Sequence, residues 1–147
     1  MKYYVLEPEV AGQLGNKSKL VYEEGRVKEV IFLEYVFLGW LGDELLNTTS
    51  CYIITKSLKN DVIKQGLTGF EIDRVKISFS REYFELGGSI FIPKFVRLKP
   101  LESYEENMSN LTKDFYYNKY KNLVVSERAL KVICRHKLDM CGVVELK

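Results

Sequence analysis

A chain of 147 residues, 46% apolar and 29% charged, has the composition of one globular domain with enough apolar material for a core of its own. Its net charge of +2 lacks the basic excess of a nucleic-acid binder. No apolar run reaches the roughly 20 residues of a membrane-spanning helix.

Residues 2–8, KYYVLEP, alternate and are rich in β-formers, which predicts a first strand ended by Pro8. Two glycines and an Asn-Lys-Ser cluster over residues 9–19 predict a loop. Residues 29–37, EVIFLEYVF, are apolar on both faces apart from Glu34, the pattern of a strand covered on both sides. Gly39 and Gly42 then permit a sharp turn around Trp40. Asp43 suits the N-cap of a single helical turn over ELLN, with Leu41, Leu45 and Leu46 packed inward. CYIIT (51–55) reads as another buried strand. Ser57 suits the N-cap of a helix over LKNDVIKQ, in which Leu58 and Val62 share an apolar face with Ile63 beside them, and Gly66 stops the helix.

In residues 68–80, Val75, Ile77 and Phe79 alternate with Arg74, Lys76 and Ser78, which predicts a strand with one solvated face. SREYFEL (80–86) reads as a short helix stopped by Gly87 and Gly88. Residues 91–99 alternate around Pro93, which places that strand at an edge or puts the proline at its start. Residues 100–121 read as a long polar loop with a turn of helix. Leu123 to Val125 form a short strand, and Ser126 is the N-cap of a closing helix with Glu127 favourably placed in its first turn. Leu130, Ile133 and Cys134 make that helix's inward stripe, Arg135 and Lys137 sit in its last turn, and CGVVEL is a final strand. The sum is a single α+β domain over 1–147, with a mixed, mostly antiparallel sheet of about six or seven strands and three or four short helices.

The three cysteines, with no secretory signal in MKYYVLEPEV, fit a reducing cytoplasm in which Cys51, Cys134 and Cys141 serve as small packing residues. Asn-x-Ser/Thr triplets at Asn47, Asn107 and Asn110 then carry no glycans. Reactive devices are sparse. His136 is the only histidine, and Cys134, two residues before it, points in a different direction on a helix. The expectation is a histidine at a helix end beside solvent. Cys134, His136 and Cys141 do not match a structural zinc spacing, and no phosphate-cradling glycine motif is present. The acidic doublets Glu23-Glu24, Asp43-Glu44 and Glu105-Glu106 suit solvated surface. The expectation is a protein without catalytic turnover, metal or cofactor.

Three stretches carry a family resemblance: EYVFLGWLGDELL continuing into CYIITKSLKNDVIKQGLTGFEIDRVKIS, then IPKFVRLKP, then NLVVSERALKVICRHKLDMCGVVEL. Together they resemble a bacterial group of small immunity proteins encoded beside polymorphic toxins. The shared features are the Trp40-Leu41-Gly42-Asp43 turn, the Leu67-Thr68-Gly69-Phe70-Glu71 strand and the helix start from Leu123 to Leu130. The likeness runs from about residue 34 to the end, and the first strand fits it too. Leu38 departs from a family tendency to a polar residue there, and residues 80–90 also look more divergent. The resemblance implies a cytoplasmic protein that binds and neutralises a cognate toxin, with no nucleic acid or membrane as partner. A general protein-interaction domain and an enzyme with an unrecognised carboxylate site are the alternatives.

A motif shared by members that meet different toxins serves the fold, so Trp40, Gly42, Asp43 and Ser126 are expected to be structural. The ten tyrosines suggest either a contact surface or a tyrosine-rich sheet. The partner contacts are expected on the irregular tyrosine-bearing segments: Tyr83 and Glu85, then Tyr104, Glu105, Glu106, Asp114, Tyr116, Tyr117 and Tyr120. Alanine at Tyr116 or Tyr117 is expected to weaken toxin binding without lowering thermal stability.

Overall fold

Short alternating runs dominate the sequence, and strands dominate the computed structural model, which describes residues 2–104 and 110–147. Among the described residues the strands are β1 (Tyr3–Glu7), β2 (Gly12–Leu14), β3 (Lys19–Glu23), β4 (Arg26–Phe37), β5 (Leu45–Thr48), β6 (Cys51–Thr55), β7 (Phe70–Asp73), β8 (Val75–Phe79), β9 (Phe95–Pro100), β10 (Phe115–Tyr117), β11 (Leu123–Ser126) and β12 (Gly142–Glu145). The helices are α1 (Lys56–Lys64), α2 (Arg81–Glu85) and α3 (Glu127–Ile133).

These form three four-stranded sheets: β10-β11-β1-β12, then β2-β4-β3 with β8 also on β4, and β5-β6-β9-β7. Among the described residues the pairings between these strands are antiparallel except β4 with β8, and two isolated bridges, Glu9 with Leu46 and Ser103 with Tyr117, are parallel. The third sheet is the middle layer. Its alternation sends Leu45, Tyr52, Ile54 and Leu98 to one side, against Leu6, Leu123 and Val125 of the first sheet and Leu58, Val62, Val132 and Ile133 of the helices. Leu46, Cys51, Ile53 and Phe95 face the other way, against Val30, Leu33, Tyr35 and Phe37 of β4. All five residues of β6 are buried because a layer covers each face.

There are more strands than the sequence pattern predicts, for identifiable reasons. Residues 68–80 are two strands rather than one: the chain changes sheets at Arg74, so β7 pairs with β9 while β8 pairs with β4. β2 and β10 hold three residues each, too few to show a period. Leu45–Thr48 is strand, not a helical turn, because its pairing with β6 outweighs local propensity. β9 starts at Phe95 and lies between β6 and β7, so it is interior, and Pro93 stands outside it. Thr55, not Ser57, caps α1: its side chain accepts from the Leu58 N–H. Ile63 and Leu41 are exposed, and Cys134 is exposed just past the end of α3.

β4 is covered on one face over its second half and only partly on the other, where Phe32 and Val36 are half-buried, so the expected double cover is corrected. Glu34 between them is buried with its charge satisfied. Its carboxylate accepts from the Lys17 N–H at 3.0 Å and the Ser78 hydroxyl at 2.6 Å.

Candidate partner-binding surface

The quoted motifs meet at buried carboxylates. In the Trp40–Asp43 turn, the indole N–H donates to the Asp43 carbonyl at 2.9 Å, and the ring packs against Phe37 and Phe95. Gly42 holds φ at +105°, a conformation side chains resist. Asp43 is fully buried, and its carboxylate accepts from the Asp139 and Met140 N–H groups at 2.9 and 2.7 Å. The expected cap on ELLN is therefore corrected: Asp43 ties down a segment nearly a hundred residues further on.

Glu44 continues this seam, accepting from the Thr55 hydroxyl at 2.6 Å and the Lys137 N–H at 3.1 Å. His136 lies between Glu44 and Asp61, with Nδ1 3.2 Å from one carboxylate and Nε2 3.0 Å from the other. Its side chain is 12% exposed, so the expected solvent-facing histidine is corrected too. Both contacts are hydrogen bonds when the ring is doubly protonated. Burial pushes the Glu44 carboxyl up; bonds from Thr55, Lys137 and His136 outweigh it and hold the group below its ordinary range.

Asp114 joins the second and third motifs. Its carboxylate accepts from the Thr68 N–H at 2.8 Å, the Ser126 hydroxyl at 2.7 Å and the Arg128 guanidinium at 2.7 Å. The Ser126 oxygen in turn accepts from the Ala129 N–H, as an N-cap does. Here too burial raises the pKa and the hydrogen bonds more than reverse it.

Several expected partner contacts are therefore interior. Asp114, Tyr83 and Tyr116 are 4%, 3% and 1% exposed. The Tyr116 hydroxyl accepts from the Thr112 and Lys113 N–H groups, and its ring packs edge-on against Tyr3. Tyr117 is half-buried against Tyr52. Tyr104 is half-buried, its N–H donating to the Tyr117 carbonyl. Each is buried for its own local reason: Tyr83 lies on the inward side of α2, Asp114 just before β10 is held by its hydrogen bonds, and Tyr116 takes one face of β10 while Tyr117 takes the other. Glu85 is exposed and paired with Arg81, and Tyr120 is 68% exposed. Glu105 and Glu106 lie outside the described residues.

What the sequence reading missed is an exposed apolar face. Phe84, Leu86, Ile90 and Phe91 are 50%, 78%, 58% and 91% exposed, and Leu41 is 62% exposed. Two grooves border this segment. One of about 350 Å³ runs past Trp40, Leu41, Leu86 and Phe91; the other, about 400 Å³, past Ile77, Phe79, Ile90 and Pro93; Ile92 lines both. Tyr83 supports the segment from beneath: its hydroxyl donates to the Ser89 carbonyl at 2.6 Å, and its carbonyl accepts from the Gly88 N–H. A Cβ at Gly88 would strike the Tyr83 ring, so the loop passes close over it. Arg81, Glu82, Glu85 and Lys94 are exposed on the same stretch of chain. An apolar centre with charged flanks is the composition of a protein interface. The sequence signal was present: SIFIP places apolar residues just after a glycine pair that interrupts regular structure.

Among the described residues, no group of three or more His, Cys, Asp or Glu side chains is placed to hold a metal ion, and no helix is long and apolar enough to cross a membrane. No protein-family model matches the chain, and no curated protein matches it.

Proposed function

We propose that the protein is an immunity protein, which neutralises a cognate polymorphic toxin by docking it on the apolar face formed by Leu41, Phe84, Leu86, Ile90 and Phe91. The exposure of that face carries the reading: Phe91 at 91% and Leu86 at 78% contribute little to this chain's own core. Water-exposed apolar area of this kind gains free energy when a partner covers it. The face speaks for a protein partner, and the toxin comes from the sequence resemblance. The two agree in one respect: residues 80–90 look more divergent within that resemblance, as a toxin-specific surface should. Neutralisation by contact asks for no turnover, cofactor or metal.

The reading requires a large toxin encoded beside this protein, and co-expression with that toxin tests it. Growth restored by this protein, with a stable complex recovered, is the expected result. Unrelieved toxicity with both proteins present in the cell, and no complex between the purified pair, contradicts it.

A further inference from the structure

An open cleft of about 530 Å³ lies where the start of β4, the β5–β6 turn, the end of β9 and the β10–β11 turn meet. Its size lies within the roughly 300–1,000 Å³ of small-molecule sites. Lys28, Arg97, Lys99 and Lys121 line it, against only Glu29 and Glu71. Lys99 already engages Glu71 at 3.5 Å, and Lys121 Nζ donates to the Lys28 carbonyl at 3.3 Å.

Arg97 is the unusual member. It occupies the same strand phase as Phe95, so it points into the layer between sheets and is 4% exposed. One terminal nitrogen donates to the Val30 carbonyl at 2.6 Å and the other to Cys51 Sγ at 3.5 Å, while Nε has no partner. Among the described residues no carboxylate forms an ion pair with it. Asp73 stands directly across from it on β7 without forming an ion pair, and the Tyr117 side chain interacts with it. A buried cation without a contacting counter-charge is costly, and an anion in the cleft would supply one.

The backbone adds an independent observation. Among the described residues four non-glycine residues have left-handed φ, and three of them line this cleft: Thr49 at +47°, Ser50 at +58° and Lys121 at +60°. A two-residue hairpin turn of this kind favours Asn-Gly, and a β-branched residue in it is a genuine outlier. Strain of about 1–3 kcal/mol per such residue tends to gather at functional sites. What the Thr-Ser pair brings to the lining in place of Asn-Gly is two hydroxyl-bearing residues. Tyr120 adds an aromatic wall, 68% exposed.

We propose that this cleft binds a small phosphorylated ligand of nucleotide size, its phosphate facing Arg97, Lys99, Lys121 and the Thr49 and Ser50 hydroxyls, its ring against Tyr120. The cleft shares no lining residue with the apolar face, so the two sites are tested separately.

The test is an amide-shift titration of the intact protein with inorganic phosphate and, separately, adenosine monophosphate, at concentrations up to about 10 mM. Saturable shifts confined to residues 27–30, 49–51 and 117–121 are expected with both probes. Stacking should make the nucleotide bind about tenfold tighter than phosphate, and Tyr120→Ala should remove that advantage. Lys121→Ala and Lys99→Ala should each weaken both probes severalfold, while Lys131→Ala on α3 leaves them unchanged. Absent saturation, shifts scattered over exposed lysines, or equal losses in the Lys131 variant overturn the site. Phosphate binding with no nucleotide advantage overturns the assigned ligand size.

Discussion

The seam that joins Trp40–Glu44 to residues 136–140 and the loop at 84–92 are both short, irregular stretches built around glycines, yet they are held in opposite ways. In the seam each buried polar group meets a partner: Asp43 takes two backbone N–H groups, and Glu44 takes a hydroxyl, an amide and an imidazole. In the loop, one buried tyrosine holds the backbone, and Phe84, Leu86, Ile90 and Phe91 face outward while Ile92 packs against the core. Buried hydrogen bonds are costly to break, whereas exposed apolar side chains are cheap to change. The seam therefore specifies the fold, and the loop is free to specify a partner.

The largest expected effects fall on the buried side. Tyr116→Ala should destabilise by about 3–5 kcal/mol, since it empties a fully buried ring site and orphans two N–H donors. This reverses the expectation of a stability-neutral binding variant. Asp43→Ala should cost about 2–5 kcal/mol, from two backbone donors left without an acceptor. Urea unfolding measures both; a loss under about 1 kcal/mol in either would break the contrast with the loop.

Acidification should act on the same side of the comparison. Glu34, Glu44 and Asp114 are all held below their ordinary range, in each case by hydrogen bonds that outweigh the upward push of burial. Their stabilising contribution is complete above the unfolded carboxylate pKa of about 4 and is lost as pH falls through that range toward the folded values. Glu9, raised chiefly by burial, runs the other way: its share is present below the ordinary range and fades as pH rises through its raised value. Three groups against one predict a net loss of stability on acidification. Asp114→Asn should be less stable at neutral pH by about 1–3 kcal/mol and show a shallower acid slope. Urea midpoints that stay level on acidification would contradict the assignment of these carboxylates.

The smallest stability effects belong to the loop. Leu86→Ser and Phe91→Ser should each change stability by no more than about 0.5 kcal/mol. A loss of several kcal/mol would mean the loop is core after all.

Much of the framework was legible because its signals are local. The doubly apolar runs of β4 and β6, the Ser126 cap and the glycine stops after α1 and α2 depend on neighbours in sequence. The seam was not legible, because Asp43 and its acceptance from Asp139 and Met140 involve residues far apart in the chain. Short sequence also could not show that Tyr83, Tyr116 and Asp114 face inward, since strands of three residues and single turns of helix carry too little period. The sheet change at Arg74 hid one strand inside another's alternation. Arg97 shared the phase of Phe95, and that was the one local clue to a buried cation.

The central claim is that recognition resides on the apolar loop while the carboxylate-held motifs maintain the fold. Calorimetric binding of the proposed partner, a toxin encoded beside this protein, to Leu86→Asp and Phe91→Asp, with melting temperatures taken on the same samples, tests it most directly. The account predicts affinity at least tenfold weaker with melting temperatures close to the parent's, as a hot-spot residue lost from an interface centre requires. Undiminished affinity in both folded variants would contradict it.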